Sequence, residues 1–130
     1  MHLTVTGFTA AALAILLVLL ALDTIRNRFR TRKPFGLGDD PGLTSASRAH
    51  GNLAENAPIT LILMGLLEFG GADRQILIYL AVAFVSARLL HALGLYVQTK
   101  GPPPLPRALG VIATLAIQLG LAAWLIARLL

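Results

Sequence analysis

The chain has 130 residues, 56% of them apolar and only 13% charged, and it contains no cysteine. Soluble domains carry about 25% charged residues, so lipid is the main solvent here, and disulfides, thiolate metal sites and a cysteine nucleophile are excluded. The formal net charge of +5 comes without any aromatic or base-reading pattern, so the predicted partners are membrane lipids and not nucleic acid.

Residues 3–22 carry no charged side chain and match the roughly 20 residues a helix needs to cross the hydrocarbon core. No basic stretch precedes them, and the run exceeds the roughly 7–15 apolar residues of a signal peptide. They read as a retained helix over about 3–25. Arg26, Arg28, Arg30, Arg32 and Lys33 come next, then Pro34-Phe35-Gly36-Leu37-Gly38-Asp39-Asp40-Pro41-Gly42, dense in turn formers. A cytoplasmic loop over about 26–43 is predicted, with Thr44, Ser45 or Ser47 capping a second helix over about 44–69. That helix begins polar, through Arg48, Asn52 and Glu55, and turns apolar over residues 57–67; Pro58 predicts a kink.

Gly70-Gly71-Ala72-Asp73 predicts a tight return into a third helix over about 75–98, which carries Arg88 and His91 near its far end. Gly101-Pro102-Pro103-Pro104 stops it, and a fourth helix runs over about 105–128 with Gln118 as its one strong internal polar side chain. Arg26 to Lys33, Arg48, Lys100 and Arg107 fall on one side, against Arg74 and Arg128 on the other. The positive-inside rule then makes both termini extracytoplasmic. Small residues four apart, Ala83 with Ala87 and Ala116 with Gly120, allow close helix approach. The predicted fold class is an all-α integral membrane protein, a single-domain four-helix transmembrane bundle spanning residues 1–130.

Ionisable groups inside such segments each cost about 2.5–3.5 kcal/mol near the helix centre and ask for partners. Arg48, Asn52 and Glu55, at i, i+4 and i+7, share one face of the second helix, and Arg88 and His91, at i and i+3, make a stripe on the third. One reading has Glu55 neutralise Arg88 or Arg48 inside the bundle. The other starts from the surplus of guanidinium groups at that membrane face, Arg26, Arg28, Arg48, Arg88 and Arg107, which suits an anionic ligand held by paired hydrogen bonds. Snorkelling to lipid phosphates explains residues 26–32 equally well. The three histidines, His2, His50 and His91, are scattered without ligand spacing, so no metal is predicted.

Arg48-Ala49-His50-Gly51-Asn52-Leu53-Ala54-Glu55-Asn56-Ala57-Pro58 at the start of the second helix resembles the signature of the MAPEG family, membrane-associated proteins of eicosanoid and glutathione metabolism. Ala87-Arg88-Leu89-Leu90-His91-Ala92, Pro106-Arg107 and the basic end of the first helix extend the resemblance over nearly the whole chain. It implies a homotrimer with glutathione as co-substrate, bound at subunit interfaces toward the cytosol, and a lipophilic second substrate such as an electrophile or lipid hydroperoxide. By the same resemblance Arg48 would hold a carboxylate, Asn52 the peptide backbone and Glu55 the amino group, with Arg88 and His91 lining the pocket. Arg107 would be the catalytic residue, facing the sulfur and favouring thiolate. One of Arg26 or Arg28 would arrive from a neighbouring subunit, and His50 and Tyr96 complete the candidate set.

Two positions depart from the family pattern. Leu95 stands where several active eukaryotic members have a tyrosine, with Tyr96 beside it pointing elsewhere, and Gly51 stands where some carry a basic residue. The compact loops resemble those of bacterial members without assigned activity, which implies an inner-membrane location. The absent tyrosine favours the alternative, a non-catalytic relative that binds an anionic lipid or small molecule, or that acts as a scaffold.

Overall fold

The computed structural model describes residues 2–97 and 101–130; Lys100, and the last residue predicted for the third helix, Gln98, lie outside the described residues. Four helices follow one another: α1 Thr4–Thr31, α2 Pro41–Phe69, α3 Arg74–Tyr96 and α4 Leu105–Leu129. By length and composition α1, α3 and α4 are each long and apolar enough to cross a membrane. α2 joins them as a 29-residue helix whose first half is polar. The chain is thus an integral, multi-pass membrane protein built as an all-α four-helix bundle.

α2 and α3 sit in the middle and touch each other; α1 packs on α2 and α3, α4 packs on α3 and α2, and α1 and α4 do not meet. Phe84, Met64, Leu67, Leu77 and Leu121 are fully buried between them. Large apolar side chains such as Phe8, Val82, Ile112 and Leu119 point outward, as expected where the surroundings are lipid.

Two sequence boundaries need correction. Helix α1 continues through Arg26, Arg28 and Arg30 to Thr31, where Arg32 takes a left-handed conformation (φ 53°) and closes the helix with its N–H on the Arg28 and Phe29 carbonyls. Arg26, Arg28 and Arg30 are therefore helical and not loop, while Arg32 and Lys33 follow the helix, and 28 residues make α1 about 42 Å long, longer than the roughly 30 Å hydrocarbon core. Part of α1 must lie beyond the hydrocarbon, and its arginine-bearing end is the part most costly to leave in lipid. Helix α2 is capped by Asp40 and not by Thr44, Ser45 or Ser47. The Asp40 carboxylate accepts from the Leu43 amide at 2.7 Å and Pro41 opens the helix, because a proline at the first position gives up an N–H that would be unpaired anyway. Past Pro58 the helix runs on unbroken.

The end with both termini is tied by two side chains. Both Glu68 oxygens accept from α1: Oε1 from the Val5 amide at 2.8 Å, Oε2 from the Thr6 amide at 2.8 Å and the Thr6 hydroxyl at 2.7 Å. Glu68 thereby caps a helix that has no side-chain cap of its own. Arg128 Nη2 donates to the Gly70 carbonyl at 2.6 Å, closing α4 onto the α2–α3 turn, where Gly71 adopts a φ of 73°.

Candidate functional site

Toward the other end, α3 and α4 approach so closely that two glycines are required. A Cβ on Gly94 would overlap the Arg107 backbone, and one on Gly110 would lie 2.7 Å from the Ala87 carbonyl oxygen and 2.7 Å from His91 Cβ. This contact brings the start of α4, with Arg107, against the stripe of α3 that holds Arg88 and His91. His91 is buried and its Nδ1 lies 3.3 Å from the Arg107 carbonyl.

Arg88 is 3% exposed. Its Nη1 donates to Asn52 Oδ1 on α2 and its Nη2 donates to the Gly110 carbonyl at 2.9 Å, while the guanidinium carbon lies 5.9 Å from the Phe84 ring centre. Each hydrogen bond from a charged donor contributes about 1.5–3 kcal/mol, enough for two of them to offset the insertion cost of one arginine. Arg88 Nε remains buried with no partner among the described residues. Glu55 does not neutralise it: Glu55 is exposed, and among the described residues the ion pair is Arg30 with Asp40, at 2.6 Å. The purely internal Arg–Glu reading is therefore replaced by an arginine held on an amide and a backbone carbonyl.

Because Asn52 Oδ1 is occupied by Arg88, its orientation is fixed and Nδ2, which has no partner among the described residues, is left to donate outward. Asn52, Asn56, Arg88, Val111, Thr114 and Leu115 line a hollow of about 130 Å³ between α2, α3 and α4. Below it the polar seam continues. Thr114 Oγ1 donates to the Gly110 carbonyl at 2.8 Å, and Gln118 Nε2 donates to the Asn56 carbonyl and Asn56 Oδ1 at 3.3 Å each and to Thr60 Oγ1 at 3.1 Å. The sequence reading missed this seam as a unit, although its signal was present: Asn52, Asn56 and Thr60 on α2, and Gly110, Thr114 and Gln118 on α4, each recur every four residues.

The remaining predicted residues separate into two groups. Arg26, Arg48, Glu55 and Arg107 present exposed side chains, and His50 is half-buried. Arg28 is instead committed to its own loop, with Nη1 donating to the carbonyls of Lys33 at 3.3 Å, Pro34 at 3.0 Å and Gly36 at 3.2 Å. Tyr96 is also engaged elsewhere, its hydroxyl donating to Asp23 Oδ2 on α1 at 2.6 Å, so it latches α1 to α3 and does not join the hollow. Among the described residues no group of three or more His, Asp or Glu side chains is placed to hold a metal ion.

A profile of the MAPEG family matches residues 6–127. The chain belongs to the MAPEG family. Over 92 residues this MAPEG protein is 33% identical to the inner membrane protein YecN of Escherichia coli, in strain K12 and in strain O6:H1 (CFT073), a match covering 71% of this chain and 70% of that protein. No solved structure matches it significantly.

Proposed function

We propose that this MAPEG protein binds glutathione at the Asn52–Arg88 hollow and uses it, as a transferase or peroxidase, on lipophilic electrophiles or lipid hydroperoxides that arrive through the bilayer. The observation that carries the reading is Asn52: Arg88 pins its oxygen and leaves its amide N–H to meet a peptide carbonyl, beside the exposed cation of Arg48 and anion of Glu55 on the same helix. A zwitterionic tripeptide with carboxylates and an ammonium group complements that set. Arg107, placed by Gly94 and His91, supplies the cation that favours a thiolate over a thiol. The thiol proton leaves to solvent at the cytosolic face first, and the thiolate sulfur then bonds the electrophilic carbon while the displaced electron pair takes up a proton or departs with the leaving group. On a hydroperoxide the sulfur takes the distal oxygen, the alcohol departs, and a second glutathione reduces the sulfenic acid to give disulfide and water.

The same reading includes a homotrimer. Glu55 lies 14 residues into a 29-residue helix, about 21 Å from its start at 1.5 Å per residue. With the apolar end at Phe69 set at the far edge of a core of about 30 Å, Glu55 falls about 8 Å inside the hydrocarbon, where an exposed carboxylate asks for cover by a neighbouring subunit or ligand. Arg26, free of the loop that occupies Arg28, is the residue to reach a neighbour's pocket. By analogy with the inner membrane relatives, the protein resides in a bacterial inner membrane with both termini extracytoplasmic, in keeping with the basic residues gathered at the opposite face.

Ultraviolet difference spectroscopy of the detergent-purified protein tests the reaction. Thiolate absorbance should appear on adding glutathione and be lost in Arg107→Ala while binding persists. Unchanged thiolate in Arg107→Ala would remove the mechanism. One observation favours a second, non-catalytic reading: Leu95 offers no hydroxyl and Tyr96 gives its own to Asp23. Binding without thiolate in the wild type would select it.

A further inference from the structure

Between α1 and α3, toward the end with both termini and sharing no lining residue with the Asn52–Arg88 hollow, lies a groove of about 390 Å³. Its walls are apolar, with Phe8 and Val82 exposed along its edges and Ala12 and Ala81 leaving room between them. The Thr9 hydroxyl turns back to the Val5 carbonyl of its own helix at 2.7 Å. On α3 the groove runs from Arg74 to Ser86, about 18 Å at 1.5 Å per residue, the depth of one leaflet of a roughly 30 Å core. At its mouth stands Arg74, exposed, without a hydrogen bond or ion pair among the described residues, and near enough to Glu68 for the two charges to feel each other.

We propose that this groove holds one phospholipid of the leaflet on the terminus-bearing face, an acyl chain between α1 and α3 and the phosphate on the Arg74 guanidinium. The length and apolar walls fit a single chain, and the guanidinium fork matches a phosphate. A second copy of the chain is the poorer match, because each acidic side chain it carries at this depth already caps a helix of its own. Of the six acidic residues, Asp23, Asp39, Asp40 and Glu55 belong to the other half of the bundle. Glu68 at this end spends both oxygens on α1, and Asp73 caps α3 by accepting from the Ile76 amide at 2.9 Å.

The test is native mass spectrometry of the delipidated protein titrated with phosphatidylglycerol and, in parallel, with diacylglycerol of the same chains. Two variants are compared with wild type: Arg74→Gln, and Ala12→Phe, an exposed position where the ring fills the groove. Arg74→Gln should weaken phosphatidylglycerol retention about tenfold, the loss of one charge-assisted contact, and leave diacylglycerol unaffected; Ala12→Phe should weaken both. Wild-type retention in either variant overturns the proposal. So does efficient disulfide cross-linking between copies of Ala12→Cys, readable because the chain has no other cysteine, since it would assign the groove to a subunit contact. None of these readouts involves glutathione.

Discussion

The contact between α3 and α4 makes a sharp forecast for Gly110→Ala. The new Cβ would sit 2.7 Å from the Ala87 carbonyl oxygen and 2.8 Å from the His91 amide nitrogen, both backbone atoms inside a helix and unable to swing aside. Relief requires α4 to move outward, which stretches the bond from Arg88 Nη2 to the Gly110 carbonyl, now 2.9 Å. Overpacking costs about 1–3 kcal/mol and weakening a charged hydrogen bond up to about 1.5–3 kcal/mol. The two costs come to about 2.5–6 kcal/mol, and after the gain of about 0.8–1 kcal/mol from replacing a helical glycine by alanine the variant should lose about 1.5–5 kcal/mol. Gly7→Ala is the control, a helical glycine with nothing within 4 Å of the new Cβ, and should be neutral or slightly stabilising. Thermal unfolding in a mild detergent, followed by circular dichroism and by the fluorescence of the single tryptophan, Trp124, reads the difference. Equal midpoints for Gly110→Ala and Gly7→Ala would refute the close-approach argument.

Arg88→Met should change stability by no more than about 1–2 kcal/mol, since an apolar side chain of similar volume avoids burying a charge; glutathione affinity, however, should fall about tenfold as the Asn52 amide loses its orientation, measured by calorimetry beside unfolding. Tyr96→Phe should remove the latch to Asp23 and loosen the membrane-surface end of α1, seen as faster amide exchange over residues 20–31, with no loss of glutathione binding. The Arg30 guanidinium bonded to Asp40, together with the Leu43 amide, holds the Asp40 carboxyl below the ordinary aspartate range. A lowered folded pKa means that the stabilisation of the α2 cap is complete above the unfolded aspartate value of about 3.9 and is lost as pH falls through the folded one. The Leu43 amide resonance should therefore shift only on acidification below about pH 4, and Asp40→Asn should abolish the titration.

Much of this arrangement is legible in the amino-acid sequence. Residues 3–22 and the run around Gln118 are apolar enough that little but a membrane helix satisfies them, and Arg88 and His91 stood out because ionisable groups are costly there. The end of α1 was not readable: five basic residues look like a loop, but helical hydrogen bonding persists until Arg32 turns left-handed. The α2 cap was hidden by three nearby Ser and Thr residues, each a plausible cap, whereas Asp40 is favoured by the proline that follows it. Asn52 and Arg88 each stand out in the sequence, but their mutual contact and the third partner, a backbone carbonyl from Gly110 on another helix, leave no side-chain signature. The same holds for Arg28 and Tyr96, whose engagements with loop carbonyls and with Asp23 depend on tertiary placement.

The most direct test of the glutathione reading is calorimetric titration of the purified wild-type protein, with Arg48→Ala and Glu55→Ala alongside. Saturable binding should appear and be weakened about tenfold or more by each substitution, as expected when a charge-assisted contact to the peptide is removed. Absence of saturation up to millimolar glutathione, or binding indifferent to both substitutions, would contradict that reading.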